Sequence, residues 1–160
     1  MASFLPRTYI ILGVHRSGTS FLAKTLKDVG IPLKGGPAHY EDIDFIKLNM
    51  KIIQEAGGIW KNPPDRESLL KSGENHKEEI QALLSAKRQD MWGWKDPRQA
   101  LTIESYLPYL EDDVYLICIF RKPELVGASL KRLGQTSQGE NMAKEYDRRI
   151  IKAIERFVGI

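Results

Sequence analysis

The stretch that most constrains this 160-residue chain is Tyr9-Ile-Ile-Leu-Gly-Val-His-Arg-Ser-Gly-Thr-Ser-Phe-Leu-Ala-Lys-Thr-Leu26. Tyr9 to Leu12 is a short apolar run suited to a strand covered on both faces. Gly13 to Ser17 is too small and too polar to continue it. From Gly18 onward, Phe21, Leu22, Leu26 and Val29 recur at helical spacing, which predicts a helix that opens at the loop. A strand that feeds a tight loop into a helix N-terminus builds an anion site. The backbone N–H groups converge, the helix dipole favours negative charge, and the hydroxyls of Ser17, Thr19 and Ser20 add donors.

Gly13 and Gly18 have the separation of a nucleotide-triphosphate loop, Gly-x-x-x-x-Gly-Lys-[Ser/Thr]. Thr19 stands in the Lys position, however, and the nearest cation is Arg16, inside the loop. Such a loop suits an anionic ligand without requiring a metal. Composition narrows the rest. With 42% hydrophobic and 28% charged residues, positions 1–160 read as one domain with a modest core. A net charge of +3 is too mild to imply nucleic-acid binding. The lone Cys118 excludes an internal disulfide and a Cys-based zinc site, and its apolar setting reads as an inert thiol. No apolar stretch is long enough for a membrane span and no leader pattern opens the chain, so a cytoplasmic location is expected.

Two later stretches carry charge to the ends of apolar runs. Met91-Trp-Gly-Trp-Lys-Asp-Pro-Arg98 is a short run halted at Lys-Asp-Pro, where Pro ends the strand. Val114 to Phe120 is the clearest strand, and it leads into Arg121-Lys-Pro, with Pro123 suited to the first turn of a helix. Ser129 lies eight positions beyond Arg121, about two helical turns into that helix. Between these stretches, His39 to Asn49 reads as a helix with an acidic start at Glu41, Asp42 and Asp44. These acids match the helix dipole, or one of them serves as a general base. Gly57 to Asp65 is a break that would line a cleft, with Trp60 packing or stacking on a ligand ring. Glu74 to Arg88 reads as a charged helix with a narrow stripe at Ile80, Leu83 and Leu84 and a solvated His76. Gly139 to Val158 reads as a long helix with Met142, Tyr146, Ile150, Ile154 and Phe157 on one face and Arg148, Arg149 and Lys152 in solvent.

In this order the motifs resemble the PAPS-dependent sulfotransferase family, bacterial or carbohydrate type. His15-Arg-Ser-Gly-Thr-Ser20 is similar to its 5′-phosphosulfate loop, Pro-[Lys/Arg]-Ser-Gly-Thr-[Thr/Ser], with His15 in place of Pro. Trp92 to Arg98 is similar to Trp-Gly-x-Lys-[Asp/Glu]-Pro-Arg, and Arg121 with Ser129 to the 3′-phosphate motif. The resemblance covers Tyr9 to about Leu133. It implies that His15, Arg16, Ser17, Gly18, Thr19, Ser20, Arg121 and Ser129 bind the cofactor PAPS and its product 3′,5′-ADP. It implies catalytic roles for Arg16, Lys95 and Glu41, the last as base. Asp96 would orient Lys95 or act as the base instead, and Arg98 would touch the acceptor or form a structural ion pair. No metal is implied. The acceptor is a small-molecule or carbohydrate hydroxyl or amine, with its identity and the oligomeric state unread. Family members continue with a further strand and a basic loop that nothing after Val158 matches, so the chain reads as a compact or C-terminally short member.

The expected architecture is a three-layer α/β/α domain of P-loop NTPase-like sulfotransferase type. Its small parallel sheet would have strands near 8–13, 91–95 and 113–120, joined by right-handed crossovers. The alternatives are a P-loop nucleotide or small-molecule kinase, and a non-catalytic module that binds 3′,5′-ADP or PAPS.

Overall fold

The computed structural model describes residues 5–111 and 113–159. Three strands, β1 (Arg7–Leu12), β2 (Met91–Lys95) and β3 (Asp113–Cys118), form one parallel sheet in the order β2-β1-β3. Strand ends fall within two residues of the sequence expectation. The registers pair Ile11 with Lys95 and Leu12 with Cys118, so all three strands stop at the same edge. Parallel pairing thus delivers the three motif-bearing loops to one crevice, where open α/β sheets take ligands.

Among the described residues seven helices connect and flank the strands: α1 (Thr19–Asp28), α2 (Ile43–Glu55), α3 (Arg66–Asn75), α4 (Lys77–Lys87), α5 (Gln99–Tyr106), α6 (Pro123–Arg132) and α7 (Gly139–Val158). A 3₁₀ turn, Leu107–Tyr109, follows α5. The central strand β1 is apolar on both sides and divides the core. Ile10 and Leu12 join the large cluster built with α2 to α7, including Phe45, Trp92, Trp94, Tyr106 and Tyr146. Ile11 faces a smaller cluster with Ala23 and Leu33. Helices therefore cover both faces of the sheet, compatible with a three-layer α/β/α arrangement.

Several elements differ from the sequence reading. In α1 the fully buried positions are Thr19 and Ala23, with Leu22 and Leu26 half-buried, while Phe21 and Val29 are 76% and 71% exposed. Small residues let the helix sit close to the sheet, which rotates Phe21 outward and leaves Val29 past the helix end. The helix expected from His39 starts at Ile43, because Asp42 caps it by accepting from Asp44 N at 2.9 Å. The helix expected over Glu74–Arg88 is broken at His76, which joins α3 to α4. His76 is buried, not solvated: Nε2 lies 2.6 Å from Glu55 and Nδ1 2.8 Å from Glu79. Arg149 is also drawn in, donating to Glu145 at 2.6 Å and to the Pro64 carbonyl at 3.1 Å, whereas Arg148 and Lys152 stay exposed. Phe157 lies 41% exposed at the outer end of α7. Every residue of α5 is buried, so it has no polar face and gave no periodic signal.

Candidate functional site

The loop between β1 and α1 is shaped by two glycines. A Cβ on Gly13 would lie 2.7 Å from Ile119 and 2.8 Å from both Ser17 and Thr19, so no side chain fits there. Gly18 has φ +109°, a conformation open to glycine at no steric cost. Ser17 folds back, donating its hydroxyl to the Val14 carbonyl at 2.7 Å. No side chain caps α1, and its first turn holds no acidic residue. The first-turn N–H groups of Thr19 and Ser20 are thereby left to an anion from outside.

Arg16 adopts φ +71°, a left-handed conformation that costs a non-glycine residue about 1 kcal/mol or more. Two contacts hold it. Arg121 donates to its carbonyl at 2.8 Å, and its own Nε donates to the Ser129 hydroxyl at 3.1 Å. Ser129 is buried on α6, while both arginines are exposed. Residues more than a hundred positions apart thus form one cationic cluster around an uncapped helix N-terminus.

On the β2 side, Lys95 is buried and uses all three ammonium protons. It donates to Glu41 Oε1 at 2.6 Å, to the His39 carbonyl at 3.0 Å and to the Ser20 hydroxyl at 3.2 Å. Glu41 lies before the cap of α2, and its second oxygen meets Arg98 at 3.5 Å. Its neighbours Asp42 and Asp44 turn the other way and pair with Lys87 at 2.7 and 2.6 Å. The structure so separates the three acids that the sequence presented together. Asp96 is fully buried; it accepts from Arg98 Nη1 at 2.7 Å and from Asn49 Nδ2 at 2.9 Å. It braces Arg98, and the Lys95 ammonium is held by other partners. Burial pushes the Asp96 carboxyl up, and Arg98 and the Asn49 hydrogen bond pull it back.

The His15 ring packs among aromatic side chains, tilted against Trp60 at 4.1 Å and meeting the edge of Tyr146 at 6.1 Å. Both ring nitrogens are buried without a partner, as is Arg98 Nε. Burial, then the charges of Arg98 and Lys95, hold the imidazole well below the usual histidine range, so it is neutral near pH 7. The other side of the Trp60 loop borders a cleft of about 240 Å³ lined by Met50, Ile53, Gln54, Ile59, Trp60 and Lys61. Cys118 is half-buried at the end of β3, where burial pushes its thiol up, away from nucleophilic use.

Sequence reasoning missed Asn49, Gln99, Thr102 and Tyr106, which buttress Asp96 from below. Polar residues inside a helical apolar stripe were the available signal, and Asn49 between Leu48 and Ile52 is one. Comparison with protein-family models, curated proteins and solved structures finds no match to this chain.

Proposed function

We propose that this protein is a PAPS-dependent sulfotransferase of P-loop-like fold that moves a sulfuryl group to a hydroxyl or amine acceptor and leaves 3′,5′-ADP. The observation that carries the reading is the contact of Arg16 with Ser129, braced by Arg121 on the Arg16 carbonyl. A 5′-phosphosulfate seated on the α1 N-terminus and a 3′-phosphate at Ser129 and Arg121 would share the Arg16 guanidinium. Residues 15–20 would hold the 5′ side. The unpartnered buried nitrogens of His15 and Arg98 support a ligand here, since each unmet group costs about 1–3 kcal/mol until something bonds it.

In the transfer, an acceptor oxygen or nitrogen bonds to sulfur as the bond from sulfur to the bridging phosphate oxygen breaks. The loop N–H groups and Arg16 stabilise the charge that grows on the leaving phosphate, the electrostatic contribution that dominates such displacements. Lys95, fixed on Ser20 and Glu41, places a second positive charge beside the helix start. Glu41 takes the acceptor proton, and to do so it must exchange an ion pair for that proton. The acceptor enters by the Trp60 cleft. The protein works in the cytoplasm; among the described residues no helix is long and apolar enough to cross a membrane.

The pairing of Glu41 with both Lys95 and Arg98 favours a second reading, a module that binds 3′,5′-ADP or PAPS without transfer. Calorimetric titration with 3′,5′-ADP, against 5′-AMP and ATP–Mg²⁺, tests both. Preference for 3′,5′-ADP is expected. Tighter binding of ATP–Mg²⁺, or no binding of any of the three, sinks the proposal. Binding with no sulfuryl transfer from PAPS across a panel of alcohols, phenols, amines and sugars selects the module.

A further inference from the structure

Beneath the crevice lies a buried chain of hydrogen bonds whose direction is fixed by chemistry. Trp94 Nε1 can only donate, and it donates to Gln99 Oε1 at 2.9 Å. That sets the Gln99 amide, so the atom of Asn49 that meets the same oxygen at 3.0 Å must be its Nδ2. The second proton of that Nδ2 reaches Asp96 at 2.9 Å. Asn49 Oδ1 accepts from Thr102 at 2.7 Å and from Tyr106 at 2.9 Å, which fills its remaining capacity. Asn49 and Gln99 are both 0% exposed. Asp96 spends its other oxygen on Arg98, Arg98 reaches Glu41, and Glu41 meets Lys95, which holds Ser20 on the first turn of α1.

We propose that Asn49 is a positioning residue: through Asp96 it holds Arg98 on Glu41, and so sets the geometry of the crevice from the second turn of α2. A carboxylate buried like Asp96 keeps its charge only where donors and a cation surround it. The groups that face it are Arg98 from its own loop, Asn49 from α2, Glu41 from the segment before α2, Tyr106 from α5 and Tyr146 from α7. Of these, Asn49 and Arg98 donate to it. Replacing the Asn49 amide by an acceptor turns the chain's direction against Asp96. Its carboxyl then takes a proton, and Arg98 loses the partner that aims it. Asn49's role in transfer rests on the sulfotransferase reading; its hold on Arg98 and Glu41 does not.

The test is a ¹³C NMR titration of the Asp96 and Glu41 carboxyls, with the Arg98 side-chain signals, in wild type, Asn49→Asp and Tyr106→Phe. In Asn49→Asp the Asp96 midpoint should rise by about one pH unit or more, because two facing carboxyls share a proton. Glu41 and Arg98 signals should move with it. Tyr106→Phe removes only a donor to Asn49 Oδ1, so it should lower thermal stability and leave Asp96, Arg98 and Glu41 in place. If Asn49→Asp does not fold, Asn49→Leu, which removes the donor to Asp96 without adding a charge, takes its place, and a smaller rise of the Asp96 midpoint, again with movement of the Arg98 and Glu41 signals, is expected. An Asp96 midpoint that stays put, or one that moves without Arg98 and Glu41, overturns the inference. Under the sulfotransferase reading, Asn49→Asp should cut kcat about tenfold or more while KM for PAPS stays within about twofold. Failure of wild type to bind 3′,5′-ADP removes that reading and leaves the titration to decide the inference alone.

Discussion

The two ends of α2 carry charge clusters of similar chemistry and opposite exposure. Before its first turn, Glu41 meets buried Lys95 and half-buried Arg98. At its last residue, Glu55 meets His76, whose other nitrogen faces Glu79, and Glu79 is in turn paired with Lys51 at 2.6 Å. In the first cluster Lys95 and Glu41 are 2% and 17% exposed; in the second, Glu55 and Glu79 are 41% and 50% exposed. The second is a clasp. It ties the α3–α4 joint to α2 with carboxylates that water can also serve. The first has replaced water almost entirely, and burying charge at that cost is typical of a site whose geometry matters.

The comparison is broken most directly at Lys95. Lys95→Met should cost about 3 kcal/mol or more, because Glu41, Ser20 and the His39 carbonyl lose a shared donor in a dry setting. His76→Gln at the clasp should cost clearly less. Urea unfolding of both variants checks the order, and an equal loss would mean that the clasp matters as much as the crevice.

Next in size is Arg16→Ala. The side chain is exposed, so the unfolding midpoint should hardly move, while affinity for 3′,5′-ADP falls by about 2 kcal/mol or more and turnover collapses. Titration of folded variant protein with 3′,5′-ADP decides it; wild-type affinity would remove Arg16 from the mechanism. Ser129→Ala removes one neutral hydroxyl partner, and a loss of about 1 kcal/mol in the same titration is expected.

The smallest effects separate the clusters by pH. Burial raises the Asp96 carboxyl in the folded state, so the folded protein binds the extra proton. Its contribution to stability is present below the ordinary aspartate range and is lost as pH rises through the raised value. Glu55 and Glu79 go the other way. Hydrogen bonds, led by Asn75 for Glu55 and Lys51 for Glu79, lower both. Their contribution is present above the ordinary glutamate range and is lost as pH falls through the lowered values. Unfolding measured from acid to neutral pH should lose its falling component in Asp96→Asn and its acid-side loss in the Glu55→Gln, Glu79→Gln pair. Identical slopes in all three proteins would contradict both assignments.

Much of the sheet was readable because its strands are local patterns. Tyr9–Leu12, Met91–Lys95 and Val114–Phe120 are short apolar runs stopped by Gly, Pro or Arg, and each signal lies within the segment itself. The start of α2 was misread because Glu41, Asp42 and Asp44 look alike in sequence, and only the cap geometry decides which acid is free to reach Lys95. Only the end of α5, near Tyr106, gave a signal in the sequence, because an element buried on all sides has no amphipathic period.

The sequence by itself determined the strand–loop–helix around Gly13–Thr19, and it marked Arg16 as a cation inside that loop and Lys95 and Arg121 as charges at strand ends. Tertiary structure alone decided that these charges meet, since parallel order β2-β1-β3 sets three distant loops on one edge. It also decided that Lys95 and Glu41 hold each other and that Asn49 sits under Asp96. Those outcomes depend on burial and on hydrogen-bond partners between 47 and 54 residues away, which no local pattern encodes.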